Sequence, residues 1–207
     1  MATSPDGIYE KGVIDPGLPV SNSTKSYWLT ETSPIAKLRS TWADEAEVVI
    51  IGSGMTAASL CRTLYFKRPD IKIILVEARS LCSGATGRNG GHIKAMSPGA
   101  WLERKNAYGQ KEALRIMEWE HSHVEEMLAC IEDSGIDADQ RRVEGLDVYH
   151  DEKTWSRAVH AVEEIREHDS KLGARYTIYS SRGELRKLKI SDLAIGAIGM
   201  HAATMWP

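Results

Sequence analysis

Six consecutive residues, Gly52-Ser53-Gly54-Met55-Thr56-Ala57, constrain what this chain folds into more than any other stretch. Ahead of them stands Glu47-Val48-Val49-Ile50-Ile51, a short apolar, β-branched run that suits a strand buried on both faces. Behind them, Ala57, Ala58, Leu60, Cys61 and Leu64 recur at helical spacing, which predicts a helix from Met55 to about Lys67. Pro69-Asp70 breaks that helix, and Ile71-Lys72-Ile73-Ile74-Leu75-Val76 reads as a second strand. A strand, a helix and a strand joined by so short a crossover require parallel strands and a right-handed connection.

In that context the glycines fit G-x-G-x-x-G/A, the turn that receives a dinucleotide. Gly52 permits the tight turn, and Gly54 lets the backbone approach a pyrophosphate with no Cβ in the way. Ala57 replaces the third glycine, where the helix packs closely on the strand. The helix N-terminus offers N–H groups and a positive dipole end to phosphates. Glu77 follows Ala57 by 20 residues, at the end of the second strand. There a carboxylate accepts hydrogen bonds from a ribose diol and repels a 2′-phosphate, which disfavours NADP. The plain alternative is a glycine turn that holds no nucleotide.

The remaining chain is organised around this unit. Residues 1–45, rich in Ser, Thr, Pro and Gly, read as an extended lead-in that Tyr27, Trp28 and Leu29 anchor. Residues 46–99 form the βαβ unit and a glycine-dense loop, and 100–207 a helical segment with a partial second domain. In the latter, helices are expected at about 100–108 and 110–134, the second with a stripe of Leu114, Met117, His121, Val124, Leu128 and Ile131. A strand is expected from Arg142 to Tyr149, and a helix from about 152 to 172 using Trp155, Val159, Val162 and Ile165. A strand over Arg175–Tyr179, a short helix near 181–188 and a strand-like stretch from Ala194 to Met200 complete the reading.

The first motif is shared by FAD and NAD proteins, so the second has to decide. Glu77-Ala78-Arg79 and then Cys82-Ser83-Gly84-Ala85-Thr86-Gly87-Arg88-Asn89-Gly90-Gly91-His92 resemble the second FAD-contacting segment of the D-amino-acid oxidase superfamily. The likeness is greatest to its gamma-glutamylputrescine oxidoreductase-like branch and runs from Ser26-Tyr27-Trp28 to Trp206-Pro207. The resemblance implies FAD as cofactor and a fold of α/β class. That fold is a Rossmann-type FAD-binding βαβ unit with a partial, mostly helical α+β substrate-domain segment, incomplete at the C-terminus. It implies that Arg79 and Ser83 lie near the phosphates and ribityl chain, that Thr86 bonds phosphate or ribityl oxygens, and that Ala85 to His92 passes along the isoalloxazine ring. A chain pressed against a flat ring needs small side chains, which Gly84, Ala85, Gly87, Gly90 and Gly91 supply. The implied cofactor-binding set is Gly52, Gly54, Ala57, Glu77, Ala78, Arg79, Ser83, Ala85, Thr86, Gly90, Gly91 and His92. His92 and Lys94 are placed to reach the flavin or to serve packing. Arg88 is open between ligand contact and ion pairing.

The implied activity is oxidation of an amine or amino-acid C–N bond by hydride transfer to the flavin, with no catalytic acid or base assigned. The family's fold is longer than this chain, so Ala194–Met200 is expected to lack strand neighbours and a partner chain is one way to complete it. The alternatives are a non-catalytic remnant with weak or no FAD binding and an NAD-dependent dehydrogenase. The latter is disfavoured because a glycine loop, not further β-α units, follows the second strand. A formal charge of −3 gives no reason to expect nucleic acid. No apolar run has membrane-spanning length. Cys61, Cys82 and Cys130 form no zinc or disulfide pattern, and Met1 to Glu10 shows no apolar h-region of a secretion signal, so the expected setting is cytoplasmic and the Asn22 sequon unused. His121 and Glu125, four apart on a helix, suggest a metal pair but find no third ligand, so no metal is expected.

Overall fold

Val48–Ile51 (β1) and Ile73–Val76 (β2) pair in parallel, in register from Val48 opposite Ile73 to Ile51 opposite Val76. Met55–Lys67 (α1) connects them. The computed structural model describes residues 22–30 and 33–206 and divides into two units, one ending at Asn89 and the other beginning at Gly90. That division falls earlier than the 99/100 boundary expected from the sequence, so His92 and Lys94 belong to the second unit.

In the first unit the entry to the parallel pair is fastened by Glu47. Its carboxylate accepts from the Arg68 guanidinium at 2.7 Å and from the Lys72 N–H at 3.3 Å. Burial corrects the expectation for β1. Ile50 is buried, but Val49 is 60% exposed and Ile51 88% exposed, the alternation of a strand covered on one face. The lead-in also differs in detail from expectation. Tyr27–Leu29 form a single 3-10 turn and Tyr27 is largely exposed. Among its ties to the glycine loop, Ser26 Oγ donates to the Gly87 carbonyl and Trp28 Nε1 donates to the Asn89 carbonyl at 2.9 Å.

The second unit is built on an antiparallel sheet. His92–Lys94 (β3), Arg141–Tyr149 (β4) and Tyr176–Tyr179 (β5) all pair with Gly196–Thr204 (β6). The stretch expected to lack neighbours is therefore the central strand. Its three partners all precede it in the chain. Small residues suit β6 to that place, and Ala197, Ala202 and Ala203 are buried there.

Helices cover this sheet. Trp101–Tyr108 (α2), Gln110–Asp133 (α3) and Glu152–His168 (α4) supply Trp101, Met117, Val162 and Ile165 to a core completed by Tyr176 and Ile198. The α3 stripe falls as its periodicity predicts, with Leu114 half-buried and the other five positions buried. The expected helix over 152–172 is broken. Asp169 is extended, and its carboxylate accepts from the Leu172 N–H at 2.9 Å to start Ser170–Gly173 (α5). Along α4 the buried line runs through Ala158 and Ala161 rather than Val159. Ser181 caps Arg182–Lys187 (α6) in a reciprocal box with Glu184.

His121 is 2% exposed, and its Nε2 lies 2.8 Å from the Tyr176 hydroxyl. Burial, aided by the Arg175 charge, pushes the imidazole down to about 4. The folded state thus resists protonation that the unfolded chain accepts near pH 6.5. Stability from this site is complete above about pH 6.5 and is lost as pH falls through about 4, roughly 3 kcal/mol over the window. His121→Gln keeps a hydrogen-bonding side chain but does not titrate. Urea unfolding between pH 4 and 7 should show a shallower acid limb in that variant.

Candidate functional site

A constellation of polar contacts closes the end of the parallel pair. Gly52 turns with φ +90°, a conformation that favours glycine, after its N–H donates to the Val76 carbonyl at 2.7 Å. Gly54 then sits at the N-cap of α1, with Ala57 buried in the first turn and no acidic side chain there. Glu77, just past β2, reaches back into the turn. One carboxylate oxygen accepts from the Ser53 N–H at 3.0 Å and the Ser53 hydroxyl at 2.6 Å, and the other from the Arg79 N–H at 3.0 Å. The Ser53 hydroxyl bond, then the backbone bonds of Arg79 and Ser53, hold the Glu77 carboxyl below its ordinary range despite partial burial.

The loop after Glu77 closes over the same turn. Ser53 Oγ accepts from the Cys82 N–H at 2.9 Å, and the Cys82 thiol lies 3.0 Å from the Ser53 carbonyl. Cys82 itself has φ +57°. Ala85–Arg88 form a 3-10 turn, from which Thr86 Oγ1 accepts the Met55 N–H at 3.0 Å. A Cβ on Gly54 would lie 3.0 Å from that same Thr86 oxygen. Ser83 Oγ is buried with no hydrogen-bond partner among the described residues. Arg88 reaches the Ser83 carbonyl at 3.3 Å and Thr24, which ties the loop to the lead-in.

Of the residues singled out from the sequence, Gly52, Gly54, Ala57, Glu77, Ser83 and Thr86 gather around this turn. Ala78 and Arg79 are exposed beside it, and Ala85 opens the 3-10 turn. Gly90, Gly91 and His92 lie in the second unit. Gly91 has a packing reason of its own. It takes φ +70°, its carbonyl accepts from the Met205 N–H at 2.8 Å, and a Cβ there would strike the Met205 carbonyl and the Trp206 ring. His92 is exposed at the start of β3, opposite Thr204. His121 and Glu125 do not converge. The first bonds Tyr176, while the second accepts from Arg142 at 2.5 Å and lies 2.7 Å from His201. No metal-ligand cluster exists among the described residues.

Sequence reasoning missed Ser53, the x of G-x-G. Its signal was a hydroxyl beside a predicted acceptor, which spacing alone does not reveal. It also missed an open cleft of about 410 Å³ on the second unit, lined by Arg142, Glu144, Arg175, Thr177 and His201 among others. Arg142 and Glu144 lie on β4, Thr177 on β5 and His201 on β6, with Arg175 in the turn before β5, and they meet through the sheet register.

The family model described as FAD dependent oxidoreductase (DAO) matches residues 47–204, more than half of the 207-residue chain. The chain belongs to this family. FAD is the family's cofactor. No curated protein matches. Among solved structures, the L-amino acid deaminase from Proteus vulgaris superposes with a TM-score of 0.59 at 15% identity, covering 82% of this chain and 36% of that one. The L-amino acid deaminase from Proteus myxofaciens gives 0.60 at 17%, covering 88% and 37%. The glycine oxidase from Bacillus cereus gives 0.50 at 19%, covering 78% and 41%. These likenesses show the α/β fold, and the chain spans about two fifths or less of each protein's length.

The residues present in this DAO-family chain fit the dinucleotide end of FAD. Gly54 puts no side chain at a helix N-terminus free of acidic groups, Glu77 presents an ionised acceptor, and Ser83 Oγ is a buried hydroxyl with no hydrogen-bond partner among the described residues. Thr86 is tied to α1 by one hydrogen bond. Thr86→Val should therefore speed amide exchange at Met55 roughly fivefold, the equivalent of about 1 kcal/mol, as read by NMR. An unchanged rate would remove Thr86 from the helix terminus.

Proposed function

We propose that the first unit binds the adenosine and pyrophosphate end of FAD, through Gly52, Gly54, Ala57, Glu77, Ala78, Arg79, Ser83, Ala85 and Thr86. We propose further that Gly90, Gly91 and His92 belong to the flavin side of the site. The observation that carries the reading is the β1–Gly52-Ser53-Gly54–α1 turn closed by Glu77 from the parallel neighbour. In this role Gly54 admits the phosphates, the α1 terminus offsets their charge, and Glu77 accepts from the adenosine ribose.

The activity proposed for the protein is oxidation of an amine or amino-acid C–N bond. FAD, when bound, supplies the electron sink that accepts a hydride from the carbon bearing nitrogen. The chain's own residues bind and orient it, and no acid or base among them is assigned to the chemical step. Solved neighbours named L-amino acid deaminase and glycine oxidase support an amino-acid or amine substrate. The Cys82–His92 run favours the gamma-glutamylputrescine oxidoreductase-like branch. The first unit is proposed for cofactor binding and the second, beyond His92, for the substrate side. A cytoplasmic setting is proposed on the three cysteines, each without a disulfide among the described residues.

Fluorescence titration with FAD tests the cofactor site. Gly54→Val fills the space the pyrophosphate needs, so FAD affinity should drop at least a hundredfold, on the order of 3 kcal/mol, with the circular dichroism spectrum retained. Equal affinity in the wild type and the variant would defeat the assignment.

A further inference from the structure

We infer that Ser53 is the positioning residue of the proposed nucleotide site: it orients Glu77 so that one acceptor site of the carboxylate faces the ligand. The inference rests on the FAD reading and extends it. Ser53 is 6% exposed, so its side chain acts inside the turn and not at the surface. It holds Glu77 twice through one oxygen, by its N–H at 3.0 Å and by its hydroxyl at 2.6 Å. The Arg79 N–H occupies the other oxygen once, at 3.0 Å. An ionised carboxylate has about four lone-pair sites. Three are taken here, so about one remains, on the oxygen that faces Arg79. Glu77 is then an acceptor for a single ribose hydroxyl, not a fork across both.

The same hydroxyl links two elements. Ser53 Oγ donates to Glu77 and accepts from the Cys82 N–H, so one atom sets both the carboxylate and the start of the loop that carries Ser83 and Thr86. An alanine at 53 would leave the Glu77 oxygen half-satisfied and the Cys82 N–H without its acceptor. The groups that face Glu77 are Ser53 from the glycine turn, Arg79 through its N–H and its charge, and, one bond removed, the Cys82 thiol and N–H. Of these the Ser53 hydroxyl lowers the carboxyl most. Its loss raises Glu77 toward the ordinary range, and binding that needs the carboxylate then weakens at a higher pH.

The test is FAD affinity against pH from 4 to 8 for the wild type, Ser53→Ala, Ser53→Thr and Gly54→Val, with the Glu77 carboxyl followed by carbon NMR without ligand. Expected is a roughly tenfold loss of affinity in Ser53→Ala, the scale of one hydrogen bond to a charged group. Its acid limb and the Glu77 titration should both move to higher pH, and Ser53→Thr, which keeps the hydroxyl, should restore both. If Ser53→Ala does not fold, Ser53→Cys fills the position with a weaker donor and should show the same shifts. A uniform loss of affinity with no movement of the acid limb or of the NMR titration would overturn the inference and leave Ser53 a packing residue. Wild-type affinity no better than that of Gly54→Val would instead overturn the FAD reading itself.

Discussion

Parallel pairing of β1 with β2 is the constraint on which the candidate site depends. Parallel strands carry their C-terminal ends to the same edge. Ile51 stands opposite Val76, so the residues just beyond, the glycine turn and Glu77, come together without any long-range search. The Gly52 N–H extends the ladder by one bond to Val76, and the Ser53 N–H continues toward the Glu77 carboxylate. The site is in effect the next rung of the sheet, made with a side chain where the backbone has turned away.

The second unit solves a different problem, that of one long strand shared by three neighbours. β6 pairs along its whole length with β4, while β3 and β5 take its other edge at different heights. Such a strand must be narrow where helices close on it, and its buried alanines meet that need. Its larger buried residues, Ile198 and Met200, join the helical core. Two polar pairs inside this unit are made in the same economical way. Trp101 Nε1 donates to Glu164 at 2.7 Å, and Arg104 forks onto Glu120 at 2.5 and 2.9 Å.

What the sequence made legible follows from period and spacing. The βαβ unit was readable because β-branched runs, a helical repeat and a Pro-Asp break all agree locally. The length of α3 was readable because its stripe persists over six positions. The break at Asp169 was not, because the apolar period continues across it and a capping carboxylate decides the matter. The place of Ala194–Met200 was misjudged because small residues give no period and its partners lie far back in the chain. Within the site, glycines and an acid at fixed spacing were visible. Ser53 was not, since its role lies in a contact 24 positions away that no local pattern encodes. The Gly90–His92 segment shows the converse. A resemblance spanning Cys82 to His92 reads as one loop, yet the structure divides it between a turn tied to α1 and a strand tied to β6.

Glu77 and Thr86, which both reach the glycine turn and the start of α1, are prepared differently for the proposed ligand. Glu77 holds three donors before any ligand arrives, so the cost of desolvating its charge and fixing its rotamer is already met within the fold. A ribose hydroxyl then finds an acceptor that need not reorganise, the condition under which a single hydrogen bond contributes most to affinity. Thr86 accepts the Met55 N–H, which leaves its own hydrogen as donor. A phosphate oxygen at the terminus could be met by that O–H while the helix keeps its bond. Carboxylate and hydroxyl thus offer opposite halves of a hydrogen bond across one turn, an acceptor for a sugar and a donor for a phosphate.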